Sequence, residues 1–194
     1  MSDTIEFHAG DMITNRVTGE RIVFRETSRE NGGRRVVFDT YVEPEGFVAA
    51  PHVHPNQEER FQVISGQLEV ELGDKKVRLG PGEAVTVPRG TGHHFWNAGE
   101  QDVHFRAEIR PALRFERLLA TMFGLAQDGK TNRKGLPNPL RLAVIAQAHF
   151  DTVQLPFPPV FVQRVGLSLA APLGRLVGWR PTYEPENRDY GTAA

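Results

Sequence analysis

The sequence predicts an all-β core followed by a C-terminal α-helical extension. Between residues 20 and 110, apolar and polar residues alternate in short runs separated by Gly, Pro, Asn and Asp, the period-2 pattern of half-buried strands. After Pro111 the apolar spacing lengthens to that of a helix. The charge changes at the same place. Residues 1–110 carry 13 Lys and Arg against 18 Asp and Glu, net −5, whereas residues 111–194 carry 10 against 6, net +4. These shifts divide the chain into an N-terminal arm (1–19), a β-barrel or sandwich (20–110) and a helical extension (111–194).

In the β region, RIVFRETS (21–28) and RRVVFDTYV (34–42) flank RENGG, the composition of a hairpin turn. A further strand holds the apolar run Phe61–Ile64 and ends at Ser65-Gly66. QLEVEL (67–72) sets Leu68, Val70 and Leu72 on one face. GDK turns it into KVRL, LGPGE leads into AVTVP, and VHFRAEIR (103–110) closes the region with Val103, Phe105, Ala107 and Ile109 on a common face. Many short strands at regular spacing predict two packed sheets or a closed barrel. In the extension, Leu113, Phe115, Leu118, Leu119, Met122 and Phe123 keep helical spacing. Asn138-Pro139 reads as an N-cap with proline at the first helical position. A third helix is expected over 160–177, broken near Pro172.

Composition excludes several functions. The chain has no Cys, which removes disulfides, zinc–thiolate sites and cysteine nucleophiles. A net charge of −1 gives no global field for nucleic acid, and none is expected as a partner. The N-terminus MSDTIEFHAGDM has neither the basic start nor the apolar centre of a signal peptide, so a cytoplasmic location is expected. The apolar stretch 155–179 is interrupted by Arg164 and Arg175, with ten uncharged residues between them. A spanning helix needs about 20, so no membrane span is expected.

Two stretches hold the chemistry: PHVHPNQEERFQVISG (51–66) and GEAVTVPRGTGHHFWN (82–97). The first, with Gly46 upstream of it, gives the series Gly46, His52-x-His54, Glu59, Gly66, and the second gives Gly82, Pro88-x-Gly90, His93, Asn97. All ten positions and their internal spacings resemble the two signature motifs of the cupin superfamily. The resemblance covers roughly residues 20–110, with a 15-residue spacer between Gly66 and Gly82 that is enough for one hairpin. It implies a double-stranded β-helix (jelly-roll barrel) that binds one divalent metal ion per chain. It also implies pairing as a homodimer through the outer sheet and N-terminal strand. No function for the extension comes with it.

The residues read the same way by themselves. Side chains at i and i+2 of a strand share a face, so His52 and His54 converge. Glu59 shares the barrel-filling face with Phe61 and Val63, whereas Glu58 falls with Arg60 and Gln62 toward solvent. His93 follows a Pro-x-Gly turn that steers a strand back inward. Three imidazoles and one carboxylate leave open positions on a six-coordinate ion and suit Fe, Mn, Ni, Co or Zn without choosing among them. His94 lies on the opposite face, and His8, His104 and His149 have no partner pattern. The inward positions Phe38, Phe61, Val63, Val70, Val85 and Phe95, with Leu68, Val87 and Phe105, are the expected lining of an apolar substrate pocket. No catalytic acid or base beyond the metal ligands is evident, apart from Tyr41 and Gln62 if they turn inward.

The metal would then carry the chemistry on a largely apolar small molecule. Cupins with this ligand set include dioxygenases, isomerases, decarboxylases, lyases and polyketide cyclases. A dioxygenase-type oxidoreductase is the leading expectation, with a metal-dependent isomerase, lyase or cyclase, or a non-catalytic binding or sensing protein, as the alternatives. One motif points elsewhere: GLAQDGKT (124–131) satisfies the phosphate-loop spacing. Gly124 sits at the end of an amphipathic pattern rather than between a strand and a helix, so no nucleotide is expected at Gly124–Thr131.

Overall fold

The computed structural model describes residues 6–185. The first five residues of the expected arm and the last nine of the expected extension lie outside them. Ten strands form two antiparallel sheets. The larger sheet has the order β1 (Met12–Asn15), β2 (Glu20–Glu26), β3 (Val36–Val42), β10 (Val103–Arg110), β5 (Glu58–Ser65), β8 (Ala84–Val87). The smaller has β4 (His52–Val53), β9 (Gly92–Asn97), β6 (Leu68–Leu72), β7 (Lys75–Leu79). The strand order interleaves early and late strands, so each sheet is completed only by non-local pairing. This is the double-stranded β-helix.

The inner faces close on each other. Phe61 from the large sheet meets Phe95 of the small sheet with ring centroids 5.6 Å apart, and Phe105 at 5.5 Å, both edge-on. Val103, Phe105, Ala107 and Ile109 of β10 are all buried, as their alternation requires. Each fully buried Val, Leu, Ile or Phe contributes about 1.5–3 kcal/mol of burial free energy. On the outer face, Asp39 joins β2, β3 and β10, accepting from Arg25 and Arg106 at 2.7 Å each.

Two of the motif glycines are fixed for different reasons. Gly66 has φ +80°, and a Cβ there would meet the Asp102 carbonyl and Val103 Cα at 2.8 Å. Gly46 needs no left-handed backbone, but a Cβ would strike Val42 Cγ1 at 2.6 Å and the Thr18 and Glu43 carbonyls at 2.9 Å. Asn97, another motif position, donates to the carbonyls of Val42 and Gln101 at 2.8 Å and accepts from Gly99 N–H. It pins the turn that follows β9.

The expected arm is not merely an arm. Met12–Asn15 pairs with β2 in register Met12 with Val23, forming the outer strand of the large sheet. Four residues with one or two apolar positions carry too little periodicity to be read without their partner.

The extension contains α1 (Phe115–Gln127), α2 (Pro139–Ala148) and α3 (Val160–Leu176). Asn138 caps α2 as expected, its side chain accepting from Leu140 N–H at 3.0 Å. The break expected at Pro172 is absent, because α3 runs through it. Pro172 and Ser168, four residues earlier, are both exposed, so the carbonyl left without its amide donor faces water. That removes much of the cost of an interior proline. No described helix is long and apolar enough to cross a membrane. The phosphate-loop spacing at 124–131 covers the last turn of α1 and the loop after it, where carbonyls rather than amides point outward. Lys130 there contacts Asp128 and the Tyr183 hydroxyl.

Candidate metal centre

The four expected ligands meet at one end of the barrel. β4 and β9 pair antiparallel with His52 directly opposite His93, so these two rings share a face with centroids 4.3 Å apart. His54, two residues on, turns to the same side and lies 4.9 Å from His52 and 5.3 Å from His93. Glu59 comes from the other sheet, one turn of the β5 pleat above Phe61. Its Oε2 is 2.8 Å from His93 Nε2 and 3.5 Å from His54 Nε2. One ligand atom from each of the four residues falls within 4.8 Å of the other three. Glu58 is exposed, so strand parity separates the two carboxylates as the sequence implied.

The remaining ring nitrogens fix what the cluster can bind. Nδ1 of His52 donates to the Ala50 carbonyl at 2.8 Å, that of His54 to Thr152 at 2.7 Å, and that of His93 to Thr91 at 3.2 Å. A carbonyl only accepts, so each ring carries its proton on Nδ1 and, when neutral, aims the Nε2 lone pair inward. A lone-pair nitrogen 2.8 Å from a carboxylate oxygen is repulsive unless a proton or cation is shared between them. Nε2 of His54 is buried with no hydrogen-bond partner. Three nitrogens and one carboxylate converging without a donor fit a divalent cation.

The electrostatics are those of a largely buried site. Burial, reinforced by the neighbouring His93 and His54, pushes His52 down to about 3 and keeps it a neutral ligand. Burial opposes ionisation of Glu59, but the neighbouring His54 and His93 outweigh it and hold the carboxyl well below its usual range. For His54 burial acts downward and is outweighed by Glu59, giving a net upward shift.

The extension reaches this end of the barrel. Gln154 exchanges two backbone hydrogen bonds with Val53 at 2.8 and 2.9 Å, adding a bridge to the free edge of β4. Thr152, two residues earlier, supplies the carbonyl that orients His54. Asn56 donates to the Asp151 carbonyl, and Arg114 at the start of α1 holds the Asp151 carboxylate at 2.9 Å. The ring of Phe115 stands 5.5 Å from His54 and stacks on Phe38. Neither Thr152 nor Phe115 was legible as a site residue. A backbone carbonyl leaves no trace in sequence, and Phe115 was visible only as one more apolar helix position.

The expected pocket lining is corrected. Phe38, Phe61, Val63, Val70 and Phe95 are buried in one continuous core, as are Leu68, Val87 and Phe105, and Val85 packs against it half-exposed. They fill the barrel beneath the cluster instead of lining an opening, because three aromatic rings interlock there. Cavities of about 310 and 410 Å³ lie elsewhere, one beside Arg141 and Tyr183 among the helices and one between Phe7 and Leu113. Tyr41 faces outward, stacked on His104 at 4.2 Å, and Gln62 accepts from Arg60 on the outer face. Neither serves the site. His94 is half-buried and bonded to the Val48 carbonyl, while His149 is buried in the extension with Nδ1 donating to Ile145.

Residues 38–108 match the family model described as "Cupin domain". An oxidoreductase of Arthrobotrys oligospora is 26% identical over 164 residues, spanning 78% of this chain and 64% of that protein's length. Among solved structures, KdgF from Halomonas sp. is 22% identical with a TM-score of 0.47, covering 54% of this chain and 89% of its own. The polyketide cyclase RemF from Streptomyces resistomycificus is 23% identical with a TM-score of 0.45, covering 55% and 79%. The motif series, the interleaved sheets and the domain match lead to one conclusion: residues 38–108 of this chain match a cupin domain.

Proposed function

We propose that the protein is a metal-dependent oxidoreductase of dioxygenase type, holding one divalent ion through His52, His54, Glu59 and His93 and acting on a largely apolar small molecule. The observation that carries this reading is the convergence of three Nδ1-anchored imidazoles on a single buried carboxylate. A bound ion would supply Lewis acidity or oxygen activation in a largely buried site. The chain's own residues orient the ligands, keep His52 neutral and pack Phe115 and the 152–154 segment against this end of the barrel. Among the described residues, no further acid or base reaches the cluster, which favours chemistry borne by the metal over proton shuttling between side chains. The Arthrobotrys relative, whose name says oxidoreductase, supports the same class.

Protein purified without added metal should contain about one divalent ion per chain by elemental analysis. The iron- or manganese-loaded form should consume oxygen with one or more members of a panel of phenols, enols and diketones. Retained metal without oxygen uptake or product would sink the oxidoreductase reading. The filled barrel interior favours a second reading, a protein that holds a small ligand at the metal without turnover. Saturable ligand binding with the ligand recovered unchanged would establish it.

A further inference from the structure

We infer that the outward face of α3 is the contact surface between two copies of this chain. Of the twelve large apolar side chains exposed among the described residues, ten lie between 155 and 177, each 40 to 83% exposed. α3 buries only Ala171 and Gly174, against α2: a Cβ on Gly174 would meet Val144 at 2.5 Å and the Leu140 carbonyl at 2.7 Å. On the opposite side, Phe161, Val165, Leu169, Leu173 and Leu176 form a stripe at helical spacing, extended past the N-terminus by Phe157. The only strongly polar strip is narrow. Arg164, Ser168 and Arg175 lie along one flank, and the two arginines turn toward the helix pair, over the Phe150 ring and onto Gln147. A helix apolar on nearly all sides belongs in an interior.

Several occupants can be compared. The nine residues after 185 include one large apolar side chain, Tyr190, too few to cover ten. A membrane-surface helix carries a broad charged face, and α3 lacks one, since the side away from the stripe packs on α2. A second copy satisfies the surface as it stands. A two-fold interface must be complementary to itself, and an uncharged apolar stripe is. α3 is about 25 Å long at 1.5 Å per residue, and its seven exposed large residues, with Leu155, Phe157 and Val177 beyond its ends, suit the roughly 800 Å² that each partner of a standard dimer contributes. An exposed apolar patch of this extent is uncommon on a monomer. The alternative pairing edge, β1, is already approached by α1, whose Gln127 donates to the Thr14 carbonyl at 3.0 Å.

Sedimentation of the full chain at micromolar concentration should give a dimer, and Leu169→Glu, at an exposed position, should give a folded monomer. Because the chain has no cysteine, crosslinking gives a second measurement. Leu169 is near the middle of α3, so Leu169→Cys should oxidise to a disulfide-linked dimer while Ile64→Cys on the barrel does not. A wild-type monomer, a dimer that persists in Leu169→Glu, or crosslinking through Thr14→Cys instead of Leu169→Cys would overturn the inference. So would a monomer that sediments with vesicles of equal parts phosphatidylglycerol and phosphatidylcholine, which would assign the face to lipid.

Discussion

Between residues 20 and 110, Ile64 is the sole large apolar side chain left exposed among the described residues, whereas between 155 and 177 there are ten. The barrel has a second sheet of its own on which to close, so each strand buries its inward face within the chain. The extension is divided. Its loop at 151–154 and the start of α1 are committed to the metal end of the barrel, but α3 touches α2 with one side and leaves the other open. Apolar burial thus reports self-sufficiency in one region and the need for a partner in another.

The sharpest way to break this contrast is to remove equivalent side chains from each region. Phe61→Ala should lower the stability of the barrel by about 3–5 kcal/mol, since the interlocked rings cannot collapse into the cavity. Leu169→Ala, measured where the protein is monomeric, should stay within about 0.5 kcal/mol of wild type. Comparable losses in urea titrations would mean that α3 is an integral part of the core.

The next largest effect concerns the cluster. Glu59→Ala removes the anion that His54 and His93 face, and metal affinity should fall more than about a hundredfold, beyond the range typical for residues that merely support a ligand. Glu58→Ala, one position away on the solvent side, should leave affinity unchanged. Titration calorimetry on both variants tests the parity that separates them.

Glu20 offers a pH-dependent test within the barrel. Burial raises its pKa to about 7, although the Thr18 hydroxyl partly counters this. The folded chain therefore holds a proton that the unfolded chain releases above its ordinary value of 4.5. Stability from this group is complete below that value and is lost as pH rises toward 7. Glu20→Gln should accordingly stabilise the protein at pH 8 by at most about 3 kcal/mol and have no effect at pH 4. A benefit equal at both pH values would show that the charge is not the cause.

The smallest expected effect tests the link between the two regions. Arg114 holds Asp151 at an exposed site, so Arg114→Ala should cost no more than about 1 kcal/mol of stability. By loosening the segment that presents the Thr152 carbonyl to His54, it should weaken metal binding about tenfold. NMR of the His54 Nδ1 proton should show faster exchange. An unchanged proton signal and unchanged affinity would make the extension a bystander at the metal end.

Much of the site was legible because strands impose a rigid period. His52 and His54 share a side by spacing alone, and Glu59 separates from Glu58 because a pleat sends neighbours to opposite faces. The distant His93 came from the motif series, and its position opposite His52 depends on a pairing between residues about forty apart that no local pattern encodes. The apolar inward positions were identified correctly as inward, yet whether they line a pocket or fill it depends on how Phe61, Phe95 and Phe105 interlock. Side-chain period gives the face of a residue but not the volume left beside it.

By itself, the sequence determined the strand faces, the helix start at Asn138, the absence of cysteine chemistry and the set of four candidate ligands. All but His93, which the motif series supplied, follow from local geometry or from side-chain chemistry. Only the tertiary structure decided that β1 completes the large sheet, that α3 continues through Pro172, that a Thr152 carbonyl orients His54 from 98 residues away, and that α3 turns an apolar face to solvent. These depend on contacts between segments remote in the chain and on backbone groups that every residue shares, and neither leaves a mark on the order of the amino acids.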